Sequence, residues 1–111
     1  MEATIKEFKH CDVITVKGRV DSSTAPQLTQ VLEKATEDGR LKLVLDLAGL
    51  EYMSSAGFRA LLASQRTCKR YNSGEVVLAA VPERIREALE LAGFTDLFKT
   101  FDDVLAAVGS F

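Results

Sequence analysis

Two adjacent serines, Ser54 and Ser55, lie where this sequence is best placed to carry out chemistry. They belong to the segment 53–59, Met-Ser-Ser-Ala-Gly-Phe-Arg, which follows a buried-strand pattern and leads into an amphipathic one. A serine here can act as a nucleophile or cap a helix. A nucleophile needs a neighbouring base, but the one histidine, His10, lies in a predicted turn, and no GxSxG elbow surrounds the serines. The pattern alone therefore favours a helix cap, which stabilises a helix by about 1 kcal/mol. The serines nevertheless follow a strand, and loops after strands usually carry function in α/β proteins.

No other constellation in the sequence supports catalysis or a bound cofactor. There is no GxxxxGK[ST] phosphate loop, no GxGxxG after a strand, and no Cys/His cluster with metal-ligand spacing. The two cysteines, Cys11 and Cys68, are far apart and form no CxxC pair, which is typical of reduced thiols in the cytosol. We therefore predict a protein that is not an enzyme and that uses neither a metal nor a cofactor.

The composition predicts one ordinary globular domain covering residues 1–111. With 47% hydrophobic and 27% charged residues, a chain of this length can bury a core without a metal or a disulfide. The formal net charge of -2 gives no electrostatic reason to expect nucleic acid or an anionic membrane as a partner. The first residues lack the apolar run of a signal peptide, and no stretch approaches the roughly 20 apolar residues of a membrane span. These features predict a cytoplasmic protein.

The pattern of apolar residues predicts an α/β fold. Residues 3–8 and 13–20 read as strands joined by a short turn, which predicts an antiparallel hairpin. Two apolar runs, 41–47 and 76–81, read as buried strands, and 48–53 reads as a loop. Amphipathic stretches between the strands predict helices. The expected architecture is a mixed, mostly parallel sheet with a hairpin start and about four helices.

Helix boundaries are marked by capping residues and by proline. Thr24 with Gln27 fits a capping box at the start of the first helix. The second helix is predicted from residue 56 to about Tyr71, and Pro82 begins the third. A last short strand over 98–101 precedes a final helix.

Two blocks of the sequence, at a particular separation, resemble a known family. The first block is residues 18–21, Gly-Arg-Val-Asp, followed by residues 24–28, Thr-Ala-Pro-Gln-Leu. The second is residues 45–47, Leu-Asp-Leu, followed by residues 52–59 around the serine pair. The segment 94–102 resembles the C-terminal end of the same family. Across essentially the whole chain, the sequence resembles a STAS domain of the bacterial anti-sigma factor antagonists.

The resemblance implies a protein-binding switch that regulates transcription by partner switching. In that family the unphosphorylated antagonist binds an anti-sigma factor that is also a serine kinase, and this binding frees the sigma factor. The kinase phosphorylates one serine of the antagonist, which ends the complex, and a PP2C-type serine phosphatase restores it. Matched by motif, the phosphoacceptor is Ser55, directly before Ala56 and Gly57. The family's best-known motif carries aspartate where this chain has Ser54, which leaves Ser54 as an alternative acceptor.

The residues around Ser55 suggest a hypothesis for how the switch works. With Ser55 as the N-cap of the second helix, free amides and the helix dipole would stabilise a phosphate on it. Gly57 has no Cβ and would let a partner or the phosphate approach the backbone closely. Asp21, at the end of the second strand, either orients the serine hydroxyl or is a turn or N-cap residue.

Three further residues complete the predicted site, and each has two interpretations. Met53 and Phe58 either pack in the core or contact the partner, and Arg59 is either a surface residue or a contact to an acidic partner.

An alternative assignment keeps the fold and uses Ser55 only as a cap. The chain would then be a soluble accessory subunit of a transporter complex, such as a lipid ABC transporter, with no phosphoswitch. A small-molecule or nucleotide sensor is a third class, which no phosphate loop supports.

Overall fold

Strands and helices alternate after an initial hairpin in the computed structural model, which describes residues 1–70 and 74–111. The strands are β1 (Glu2–Glu7), β2 (Asp12–Val20), β3 (Lys42–Asp46), β4 (Leu50–Met53), β5 (Glu75–Ala79) and β6 (Thr100–Phe101). The helices are α1 (Ala25–Glu37), α2 (Ser55–Arg70), α3 (Glu83–Leu91) and α4 (Val104–Gly109), and a 3₁₀ turn spans Thr95–Leu97. The predicted α/β class is confirmed. The predicted end of the second helix at Tyr71 lies outside the described residues.

The sheet is mixed and is organised around β2, its longest strand. Its order is β1-β2-β3-β5-β6, with β1 antiparallel to β2 and the other pairings parallel. The strand β2 pairs with two parallel neighbours along its length: residues 12–15 pair with β3 and residues 18–20 pair with β4. The predicted hairpin and the mostly parallel sheet are both confirmed.

Both faces of the sheet are covered, but unequally. The larger core lies beneath α1, α2 and α3 and contains fully buried aliphatic side chains such as Ile14, Leu28 and Leu61. The short helix α4 covers the opposite face over a smaller cluster that includes Val44 and Val77. Because β3 and β5 are buried on both faces, their sequences read as continuous apolar runs rather than as alternating ones.

The predicted loop over 48–53 is wrong, because this segment contains β4. The buried side chains of β4 are Leu50 and Met53, and they are separated by two exposed residues. A shift of register in the β2–β4 pairing accompanies this irregular pattern. The alternation of apolar and polar residues that identifies a half-buried strand therefore does not occur in this segment.

The capping box predicted for the first helix is also wrong. The side chain of Thr24 makes no cap hydrogen bond to α1. Its hydroxyl instead accepts a hydrogen bond from the Asp21 amide (2.9 Å) and donates one to the Arg19 carbonyl (3.0 Å). The turn between β2 and α1 thus uses the hydroxyl that the capping box would need.

A buried glutamine on α2 ties this helix to the sheet. The side-chain amide of Gln65 accepts a hydrogen bond from the Val76 amide (2.7 Å) and donates to the carbonyls of Val76 (3.0 Å) and Leu97 (2.8 Å). The short strand β6 pairs with β5 only at Leu78 and Ala79, so it does not reach these groups of Val76. Gln65 supplies the missing ladder bonds and fixes α2 against β5.

Replacing Gln65 by leucine, which has a similar volume, should lower the free energy of unfolding by about 3 kcal/mol. The reason is that the buried backbone groups of Val76 and the part-buried carbonyl of Leu97 would lose their hydrogen-bond partners. Urea denaturation followed by circular dichroism measures the loss. Gln30→Leu, at an exposed position of α1, is the matched control and should change stability by less than about 0.5 kcal/mol. Equal stabilities of the two variants would contradict the anchoring role.

Candidate functional site

The two serines lie where two parallel strands end side by side. Val20, the last residue of β2, pairs with Met53, the last residue of β4, and the Ser54 amide donates a hydrogen bond to the Val20 carbonyl (2.8 Å). The Ser54 carbonyl accepts a hydrogen bond from the Phe58 amide (3.1 Å), the first bond of α2. Ser54 is therefore the N-cap residue and Ser55 is the first residue of the helix. The hypothesis that Ser55 is the N-cap is wrong by one position, because α2 begins at Ser55, one residue earlier than a cap at Ser55 would allow.

The hydroxyls of the two serines differ in their access to solvent. The Oγ atom of Ser54 is buried and makes no hydrogen bond with the residues that the structure describes. Ser55, one residue later, is exposed on the first turn of α2. An enzyme that transfers a group to a hydroxyl must reach the oxygen atom, so Ser55 is the chemically accessible member of the pair.

Asp21 organises the turn between β2 and α1. Its Oδ1 atom accepts hydrogen bonds from the Ser23 hydroxyl (2.7 Å), the Ser23 amide (3.0 Å) and the Thr24 amide (3.1 Å). The hydrogen bond from the Ser23 hydroxyl contributes most to lowering the pKa of Asp21. Together the three bonds hold this pKa below its usual range because they favour the ionised carboxylate. Asp21 and Ser54 directly follow paired strand ends, which places both at one edge of the sheet. Of the two roles predicted for Asp21, its contacts support the turn.

Gly57 is buried and allows α2 to approach the strand ends closely. A Cβ atom at this position would lie 2.6 Å from Met53 Cγ and 2.9 Å from Val20 Cγ1. Both distances are well inside the roughly 3.5 Å of an ordinary carbon contact. The space left by the missing side chain is therefore filled by the protein's own core, which corrects the expectation that Gly57 admits a partner to the backbone.

Met53 and Phe58 belong to the core beneath the serine pair. Both side chains are buried, and the Phe58 ring meets Phe94 edge-on, with the ring centroids 5.9 Å apart. Of the two roles predicted for Met53 and Phe58, the structure supports the core position. Both side chains are therefore part of the larger core cluster.

The exposed surface on either side of Ser55 along the chain includes side chains of β4 and α2. Tyr52 projects from β4, and the Arg19 guanidinium lies over its ring, 4.5 Å from the centroid. Arg59 is exposed one turn after Ser55 and, together with Ala56, borders a shallow groove between α1 and α2. The other residues of this groove are Ser22, Ala25, Pro26, Thr29 and Gln30.

The pairing of Arg19 with Tyr52 is the part of this surface that sequence reasoning missed. The two residues are direct cross-strand partners on β2 and β4. They could not be brought together while 48–53 was assigned to a loop. The sequence did contain a signal, because Tyr52 and Met53 follow shortly after Gly49. A short run of strand-forming and apolar residues bounded by glycine predicts a strand.

The described residues show neither a metal centre nor a membrane span. Within 1–70 and 74–111, no group of three histidine, cysteine, aspartate or glutamate side chains is placed to hold a metal ion. No helix in the same ranges has both the length and the apolar character needed to cross a bilayer.

Comparison with known proteins identifies the family. A family model described as STAS domain matches residues 2–107. BtrV of Bordetella bronchiseptica, provisionally named an anti-sigma factor antagonist, is 32% identical over 111 residues, which cover 100% of this chain and 95% of BtrV. The chain belongs to the STAS domain family, as the resemblance of its two sequence blocks predicts.

Solved structures share the whole fold. An anti-sigma factor antagonist from Mycobacterium paratuberculosis matches with a TM-score of 0.88 at 24% identity, covering 98% of this chain and 92% of that one. SpoIIAA of Bacillus in its phosphorylated form matches with a TM-score of 0.76 at 16% identity, over 98% of both chains. The unphosphorylated form of SpoIIAA, an anti-sigma factor antagonist, gives the same TM-score of 0.76 at 15% identity, over 98% of this chain and 96% of SpoIIAA.

Adding a methyl group at Gly57 should destabilise the domain even though alanine favours helices. We expect Gly57→Ala to lower the free energy of unfolding by about 2 kcal/mol, because the methyl group overlaps Met53 and Val20. Gly109→Ala is the matched control, since a Cβ there meets no atom within 4 Å and the variant should be neutral or slightly stabilising. Thermal unfolding measures both changes. Wild-type stability of Gly57→Ala would show that α2 does not depend on this close approach.

Proposed function

We propose that this chain is an anti-sigma factor antagonist that phosphorylation of Ser55 switches off. The unmodified protein binds an anti-sigma factor that is also a serine kinase, and this binding releases the sigma factor. A PP2C-type serine phosphatase removes the phosphate and restores binding. The names of the relatives support the general role. The observation that carries the switch is that Ser55 is exposed while the hydroxyl of Ser54 is buried.

A phosphate on Ser55 is compatible with the folded domain. Ser55 is the first residue of α2, and amides of the first turn, such as those of Ala56 and Gly57, have no helix carbonyl to bind. A phosphoserine carries about −1.5 to −2 charges at neutral pH, which these amides and the positive end of the helix dipole stabilise. SpoIIAA has the same fold with and without its phosphate, which supports this reasoning.

The same phosphate is incompatible with a closed interface. Tyr52, Ser55 and Arg59 are all exposed along β4 and the first turns of α2, and a partner that covers Ser55 would take the dianion out of water. A loss of about 3 kcal/mol weakens binding roughly a hundredfold. Acidic groups of the partner would add repulsion of about 1 to 4 kcal/mol for each close unit charge. Because the domain stays folded, the phosphate acts at the contact surface and not by unfolding the protein.

Two single variants of the serine pair test the choice of acceptor. Incubation with the cognate anti-sigma kinase and ATP should add one phosphate, detected by mass spectrometry of the intact protein. Ser54→Ala should be labelled like wild type and Ser55→Ala should not, because the kinase can reach only the hydroxyl of Ser55. Stoichiometric labelling of Ser55→Ala would contradict the proposal. Capture of one transporter ATPase by unmodified and phosphorylated protein alike would instead favour the accessory-subunit alternative.

A further inference from the structure

We propose that Arg59 is the partner of the phosphate on Ser55 within the chain itself. Phosphorylation would then add negative charge to the surface that the partner protein covers, and it would at the same time neutralise the positive charge of Arg59 there. This inference rests on the proposed phosphorylation of Ser55. It deepens that proposal by naming the side chain that receives the phosphate.

Ser55 and Arg59 are neighbours on the outer face of α2. They are four residues apart in one continuous helix, and both are exposed. Residues at this spacing have Cβ atoms about 5 to 6 Å apart, and the pair is most favourable when the acidic group precedes the basic one. Helical side chains lean toward the N-terminus, so a side chain as long as that of Arg59 can extend over the turn that begins at Ser55.

Arg59 is available for this contact in the unmodified protein. None of the salt bridges among residues 1–70 and 74–111 involves it. Arg19, by contrast, is stacked on the ring of Tyr52. A guanidinium group can donate two parallel hydrogen bonds to a phosphate, a geometry that lysine cannot reproduce.

The pairing changes what a docking protein meets at this surface. Before modification, Arg59 presents a full positive charge beside the groove between α1 and α2, next to a neutral hydroxyl. After modification, the combined charge of the pair falls from +1 to about −0.5 to −1. A partner that contacts Arg59 through an acidic group therefore loses that contact in the same step in which it meets the phosphate.

Other charged groups at this edge of the sheet also influence the ionisation of the phosphate on Ser55. They are unchanged in every variant used to test the pairing, so their influence is the same in each. Asp21 follows β2 and Glu51 lies on β4, and both carboxylates oppose the ionisation of a nearby phosphate. The start of α2 and the guanidinium of Arg19 favour its ionisation. A difference between variants of Arg59 alone therefore reports the contribution of Arg59.

The test measures the protonation of the phosphate directly. Phosphoserine is placed at position 55 by genetic encoding, so that neither a kinase nor a partner protein is needed. Phosphorus NMR then follows the titration of the phosphate, whose second pKa is about 6. We expect the midpoint in the otherwise wild-type protein to lie at least about 0.3 pH unit below that of Arg59→Gln. Arg66→Gln is the matched control, because Arg66 is exposed on the same helix about 16 Å along the axis from Ser55. Its midpoint should equal that of wild type.

Equal midpoints for wild type and Arg59→Gln would overturn the inference. A midpoint raised equally by Arg59→Gln and Arg66→Gln would also overturn it, because the effect would then come from the general charge of the helix. Circular dichroism verifies that each variant is folded, as expected for changes at exposed positions. The proposed function fails on a different result, the absence of enzymatic labelling at Ser55, so the two proposals can be rejected separately.

Discussion

The hydrogen bond from the Ser54 amide to the Val20 carbonyl is the contact on which the candidate site depends. It extends the parallel pairing of β2 and β4 by one step and holds Ser54 outside the helix, so that α2 begins at Ser55. Two chemically identical neighbours are thereby given different surroundings. The hydroxyl of Ser54 is enclosed, whereas Ser55 stands on an exposed helical turn. A pair of serines in the sequence becomes a single accessible hydroxyl in the folded protein.

Two internal contacts hold α2 in the position that this arrangement requires. Near its start, Gly57 removes the side chain that would collide with the ends of β2 and β4. Further along, Gln65 replaces the hydrogen bonds that the short strand β6 cannot supply to β5. Both contacts lie on the inner side of a helix whose outer side carries Ser55 and Arg59. A helix fixed in this way would suit the proposed switch through surface charge, because a phosphate on the outer side would disturb neither contact.

Much of the fold could be predicted from the sequence, because the hairpin and the buried strands β3 and β5 have regular apolar patterns. The strand β4 could not, since its two buried residues do not alternate with exposed ones. The start of α2 was misplaced by one residue because Ser54 and Ser55 are equally good caps, and only the pairing of β4 with β2 decides between them. Gln65 did leave a signal: it follows Leu61 by four residues, and a polar residue on an apolar helix face needs a buried partner.

The central claim is that a phosphate on Ser55 is tolerated by the folded domain and rejected by the complex. Two quantities measured on one phosphorylated sample test it most directly: the Tm by scanning calorimetry and the affinity for the anti-sigma factor by titration calorimetry. The account predicts a Tm equal to or above that of the unmodified protein, together with binding weakened by about a hundredfold or more. Unchanged affinity, or an affinity lost only because the phosphorylated protein has unfolded, would contradict it.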